Sequence, residues 1–149
     1  MNNFLIECEA DANDQRVVKK TLIVMEASVK LNELWLLEHP KDVCFLTCDG
    51  VKYDFAKETE LSNTVPIKTV PILKREKRGL CIDFVCFDVA VRRLGGQNAE
   101  PHVTDGSGPG LFHVVTLIRE TDGKTKIVDP ASEVANHGRF LSAHALCTC

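Results

Sequence analysis

Three residues in the second half of the chain, Cys81, His113 and Asp129, are of the types that together perform nucleophilic chemistry. A thiol attacks only as its thiolate, so it needs a base, and the base needs an acid that fixes its tautomer. Cys81 follows Gly79-Leu80 at the start of an apolar run, 80–94, that closes on Gly95-Gly96. That run predicts a helix buried on nearly every side, with Cys81 in its first turn. There the unpaired N–H groups and the positive end of the helix dipole favour the thiolate. The same amides, that of Cys81 among them, form an oxyanion hole for the charge that develops when sulfur attacks a carbonyl. Gly79 lets a substrate backbone come close. Cys86 shares the helix but lies inside it, away from the dipole end, and reads as structural.

The base and the acid fall on two predicted strands, 111–119 and 124–129, joined through Thr121-Asp122-Gly123. Side chains alternate faces along a strand, so the loop length decides whether His113 and Asp129 can meet. A two-residue turn at Asp122-Gly123 would put them on opposite faces. A three-residue loop, 121–123, sets Asp129 opposite Val115 and puts His113 on the same face, on the diagonal. That loop ends in a left-handed residue, which Gly123 suits. A five-residue loop, 119–123, would also serve. The reading therefore requires an odd-membered loop with Gly123 at positive φ.

The elements that must position these residues follow from periodicity and punctuation. Asn13 or Asp14 caps a helix running to about Glu38, where His39-Pro40 stops it; Val18, Leu22, Met25 and Val29 mark its buried stripe. Two runs, 43–47 and 51–55, flank Cys48-Asp49-Gly50 and predict a hairpin. The stretch 65–73 reads as an edge strand or extended arm because of Pro66 and Pro71. A polar loop, 97–110, precedes the His113 strand and has the composition of a lid, and the tail carries one short helix near 140–146. The order of helix, small hairpin, core helix and antiparallel sheet is α+β, in a single domain over 1–149.

Three blocks carry a resemblance. Arg78-Gly79-Leu80-Cys81-Ile82-Asp83-Phe84 resembles the Gly-x-Cys-x-Asp-Phe helix start of the transglutaminase-like, papain-like cysteine protease superfamily. Phe112-His113-Val114-Val115 resembles its His strand, and Ile127-Val128-Asp129-Pro130 its Asp-Pro strand end. The blocks occur in the family's order within 74–130. The resemblance implies a core helix carrying a nucleophilic cysteine on a small antiparallel sheet. It also implies a thiol hydrolase that cleaves amide or peptide bonds in a peptide or protein substrate, through a thioester and without a cofactor. Acyl transfer to an amine, as in cross-linking transglutaminases or arylamine N-acetyltransferases, is the neighbouring chemistry. A non-catalytic protein keeping the fold, such as a virion component, is the alternative of a different class. The His strand lacks the aromatic residue that often follows the histidine in bacterial members. Trp35 and Tyr53 are the side chains of suitable type for a second oxyanion donor.

Composition sets the outer bounds. Of 149 residues, 44% are apolar and 26% charged, and the net charge is -3, an ordinary balance for a globular chain. It gives no reason to expect nucleic acid or membrane as a partner. Lys74-Arg75-Glu76-Lys77-Arg78 adds positive potential before Cys81, yet its plainer reading is a solvated edge beside a buried helix. The N-terminus lacks the basic and apolar regions of a secretory signal, which predicts a cytoplasmic, reducing setting with most of the seven cysteines as buried hydrophobes. Cys44, Cys48, Cys147 and Cys149 have poor spacing for a zinc site, so no metal is expected.

Overall fold

Helix α1, Gln15–Glu38, forms where apolar residues recur at helical steps. Met25, Val29 and Leu36 on its inner face are fully buried or nearly so. Proline cannot continue a helix, and at His39-Pro40 the chain turns into a 3-10 helix, Pro40–Cys44. A side-chain web fixes that turn: Asp42 accepts the Trp35 indole N–H at 2.9 Å and the Lys74 ammonium at 2.7 Å. The computed structural model of the protein describes residues 4–7, 15–44, 50–54, 64–105 and 112–137. The predicted hairpin is corrected here. Val43 and Cys44 belong to the 3-10 helix that Asp42 anchors, and the rest of its first arm, 45–47, with Cys48-Asp49, lies outside the described residues. Strand β2, Lys52–Tyr53, pairs instead in parallel with a later segment.

Strand β1, Phe4–Glu7, pairs antiparallel with β3, Thr64–Ile67. Pro66 is tolerated in this two-stranded ribbon because each strand is an edge. The extended reading of 65–73 holds only to Ile67. Helix α2 occupies Val70–Glu76, and Pro71 falls in its first turn, where its missing N–H costs no helical bond. Lys77 ends α2 in the left-handed region (φ 56°), and its N–H donates to the Leu73 carbonyl at 2.7 Å. The basic residues 74–78 are exposed at this edge, as their plainer reading requires. Strand β4, Arg78–Gly79, is the parallel partner of β2, with Lys52 opposite Arg78 and Tyr53 opposite Gly79.

Helix α3, Cys81–Leu94, is the centre of the molecule: every residue from Ile82 to Arg92 is buried. Phe84, Val85, Phe87, Val89 and Ala90 join Met25, Val29, Val70 and Leu73 in one core. A buried ion pair within it is local, with Arg92 Nε donating to both Asp88 oxygens at 3.0 and 2.9 Å. The predicted close is present, the Gly95 N–H donating to the Val91 carbonyl at 3.1 Å, with Gly96 at φ +86°.

The stretch 98–105, read as part of a polar loop, is strand β5, Asn98–Asp105. Its inward residues Ala99 and Pro101 are buried, and its place at the sheet edge is what permits a proline. Residues 106–110, the glycine-rich part of the expected lid, and Leu111, the first residue of the predicted strand, lie outside the described residues. Strands β6, Phe112–Arg119, and β7, Thr125–Val128, complete an antiparallel sheet in the order β5-β6-β7. Helix α4, Pro130–His137, follows at once and buries Ala131 and Val134; the sequence reading missed it, and the helix read near 140–146 lies outside the described residues. The architecture is α+β. No helix among the described residues is long and apolar enough to cross a membrane.

Candidate active site

Cys81 is the first residue of α3, following Leu80 at the N-cap. At that position a backbone N–H has no acceptor within its own helix. Leucine has no polar group with which to cap, so the cap comes from inside. The Asp83 carboxylate accepts the Leu80 N–H at 2.8 Å, while the Asp83 N–H donates to the Leu80 carbonyl at 3.0 Å. Its other oxygen accepts the Lys68 backbone N–H at 2.6 Å. Burial pushes the Asp83 carboxyl up to about 7, against the pull of the Leu80 and Lys68 amides. Asp83 stood in the sequence motif without a role; an acid three residues into a helix is the capping-box signal that would have assigned one.

Gly79 is a glycine for lack of space. A Cβ there would stand 2.7 Å from Leu73 Cδ2 and 3.2 Å from Asp83 Oδ2. Leu73 is fully buried and has little room to move. Gly79→Ala is therefore expected to lower stability by about 1–3 kcal/mol in thermal denaturation and to disturb the Asp83 cap. An unchanged melting temperature would show that Leu73 yields freely.

His113 lies on β6, opposite Thr104 of β5, whose hydroxyl donates to the His113 carbonyl at 3.3 Å. The loop between β6 and β7 has the odd length that strand parity demands. Arg119 pairs with Thr125, the Glu120 N–H donates to the Lys124 carbonyl at 2.8 Å, and Gly123 has φ +84°. Thr116 pairs with Val128, which sets Asp129 opposite Val115 and on the diagonal from His113. The two side chains meet, His113 Nε2 lying 2.8 Å from Asp129 Oδ2.

The imidazole is pushed up to about 10, first by its hydrogen bond to Asp129 and next by that to Cys81. With Nε2 given to Asp129, Nδ1 is the nitrogen left for the sulfur. Burial raises the Asp129 carboxyl, but hydrogen bonds from His113 and from the Ser132 N–H outweigh it and hold the group below its ordinary range. Asp129 also serves α4, its second oxygen accepting the Ser132 N–H at 3.1 Å. The structure thus brings Cys81, His113 and Asp129 together, with the imidazole between the thiol and the acid.

The two oxyanion candidates separate. The Trp35 indole N–H is committed to Asp42, and its ring stacks on His39 at 3.9 Å, so Trp35 anchors the end of α1. Tyr53 stands opposite Gly79, beside the first residues of α3, with its ring 6.3 Å from that of Phe84.

Among the other cysteines, Cys44 is disulfide-bonded, against the expectation of reduced thiols. Cys81 and Cys86 are free. Burial pushes the Cys86 thiol far up, which makes it inert, and its sulfur lies 3.7 Å from the Met25 carbonyl. A serine hydroxyl would inherit that acceptor. Cys86→Ser is expected to cost about 1 kcal/mol, near the low end for a buried hydroxyl, and to leave Cys81 labelling unchanged. Denaturant titration and peptide mapping of the labelled site check both parts. No protein-family model, curated protein or solved structure matches the chain.

Proposed function

We propose that the protein is a thiol hydrolase of the transglutaminase-like type, acting on amide or peptide bonds of a peptide or protein. The observation that carries this reading is the His113 imidazole held between the Asp129 carboxylate and the Cys81 sulfur, with that sulfur at the N-terminus of a buried helix. The packing of α3 with the β5-β6-β7 sheet in one core supports a papain-like arrangement. The Cys81 thiolate attacks the carbonyl carbon, and the oxyanion is received by the Cys81 N–H. The carbon–nitrogen bond breaks as His113 gives its proton to the leaving amine, which leaves a thioester on Cys81. Water then attacks the thioester while His113 takes a proton, releasing the acid and the free thiol.

Labelling with an acyl electrophile, followed by peptide mapping, tests the nucleophile. Selective modification of Cys81 at neutral pH is expected. Alkylation of Cys81 by iodoacetamide no faster than that of a free thiol would sink the reading and leave a non-catalytic binding protein. Mass spectrometry of a glutamine-containing peptide, incubated with and without an added amine, separates water from amine as the acceptor.

A further inference from the structure

The short backbone stretch that delivers Cys81 is held at successive polar atoms. From one side, β2 and the residue after it supply donors: the Lys52 N–H to the Lys77 carbonyl at 3.0 Å and the Asp54 N–H to the Gly79 carbonyl at 2.9 Å. The carbonyl between them, on Arg78, points the other way, as carbonyls alternate along a strand, and accepts the Lys68 ammonium at 3.0 Å. The next group, the Leu80 N–H, goes to Asp83, whose other oxygen takes the Lys68 backbone N–H. Lys68 therefore grips 78–83 at two points, its ammonium on Arg78 and its amide on Asp83.

Capping alone does not require this arrangement. A serine, threonine or aspartate at the N-cap would satisfy the helix end from the surface, at no cost in buried charge. Here the N-cap is leucine, and a carboxyl group that is 1% exposed does the work from within the core. Burying a carboxylate is costly even when it is hydrogen-bonded, so the expense points to a geometry the surface cap cannot supply. The charged groups that act on Asp83 are Lys68 and Glu76, which lie 3.7 Å from each other.

We propose that Lys68 and Asp83 are positioning residues for Cys81, holding the first turn of α3 in the orientation that turns the sulfur toward His113. This rests on the thiol-hydrolase reading above. Without the clamp the helix still forms, but the thiol loses its register with the imidazole. Loss of stability alone would not distinguish a positioning role from a structural one, whereas the pH dependence of thiol reactivity does.

The test measures the second-order rate of iodoacetamide modification of Cys81, located by peptide mapping, at about pH 7 and about pH 11. The proteins are wild type, Asp83→Asn, Lys68→Met and Lys68→Arg, with folding followed by circular dichroism. Asp83→Asn keeps one acceptor and turns an NH2 group toward a backbone N–H, so one of the two bonds is lost. Asp83→Asn and Lys68→Met are expected to react about tenfold more slowly than wild type at pH 7. At pH 11, where any accessible thiol is ionised, they should match it within about twofold. Lys68→Arg, which can still reach the Arg78 carbonyl, should behave as wild type. Wild-type rates in both slowed variants at pH 7, or equal slowing at both pH values, would overturn the proposal. If Asp83→Asn does not fold, Lys68→Met, which leaves the backbone N–H that donates to Asp83 in place, decides it. A wild-type Cys81 that is no faster than a free thiol removes the hydrolase reading as well. A fast wild type with unaffected variants removes only the positioning role.

Discussion

Replacing Cys81 by serine is expected to abolish covalent labelling by acyl electrophiles and to reduce turnover by roughly 10⁴-fold or more, with the fold retained. The side-chain volumes are close, and Cys81 is only half-buried, so the hydroxyl is not trapped without a partner. Serine in the same place has neither the thiol's acidity nor its nucleophilicity, and an imidazole already committed to Asp129 does not supply the difference. Circular dichroism and the melting temperature establish that the fold survives, and peptide mapping locates any residual label. Labelling that persists in Cys81→Ser and disappears in Cys86→Ser would identify the other cysteine of α3 as the nucleophile.

The second large effect concerns Asp129→Asn. Asparagine caps a helix about as well as aspartate, so α4 keeps its bond to the Ser132 N–H. What is lost is the carboxylate's hydrogen bond to His113, the first cause of its elevation to about 10, together with the smaller effect of its charge. If the proposed mechanism holds, the imidazolium that would protonate the leaving amine persists until that pH in wild type, so the basic limb of the rate profile is expected near 10. In the variant, that limb should move down toward the ordinary imidazole value of 6.5, which lowers the imidazolium fraction, and with it the rate, at pH 8 by up to about 30-fold. Stability follows with a definite sign. The raised imidazole stabilises the fold fully below about pH 6.5, and its contribution is lost as pH rises through about 10. The lowered carboxyl stabilises it above about pH 3.8, and that contribution is lost as pH falls. The stability gap between wild type and Asp129→Asn should therefore be widest between those two limits and narrow on either side. A basic limb that stays in place in the variant would exclude Asp129 as the orienting acid.

Much of this site was legible because its determinants are local. Gly79-Leu80-Cys81 before an apolar run defines a helix start, and Gly123 with strand parity defines which face Asp129 shares with His113. What escaped the sequence reading depends on partners far along the chain. The pairing of β2 with β4 joins residues that no short-range signal connects, and Asp42 diverts Val43 from the strand its type suggests. Strand β5 was hidden by a polar composition suited to an edge, where only Ala99 and Pro101 among its clearly inward residues need burial. Helix α4 was missed for a different reason. Asp129-Pro130 reads as a strand end carrying the acid, but an aspartate followed by proline is also an N-cap followed by the first helical residue. The acid has both roles, one oxygen for each.

The parallel pairing of β2 with β4 also bears on the order in which the site assembles. His113 and Asp129 are brought together by a hairpin with a three-residue loop, which closes on a microsecond timescale and needs no distant partner. The strand that leads into Cys81 is different. It acquires its neighbour only after the intervening chain, including β3 and α2, has been gathered into a crossover. His113 and Asp129 are thus expected to pair early, and Cys81 to reach them late. During refolding, protection of the β6 and β7 amides from hydrogen exchange should precede the recovery of fast Cys81 alkylation, so the chain would pass through a stage with a formed imidazole–carboxylate pair and a still ordinary thiol.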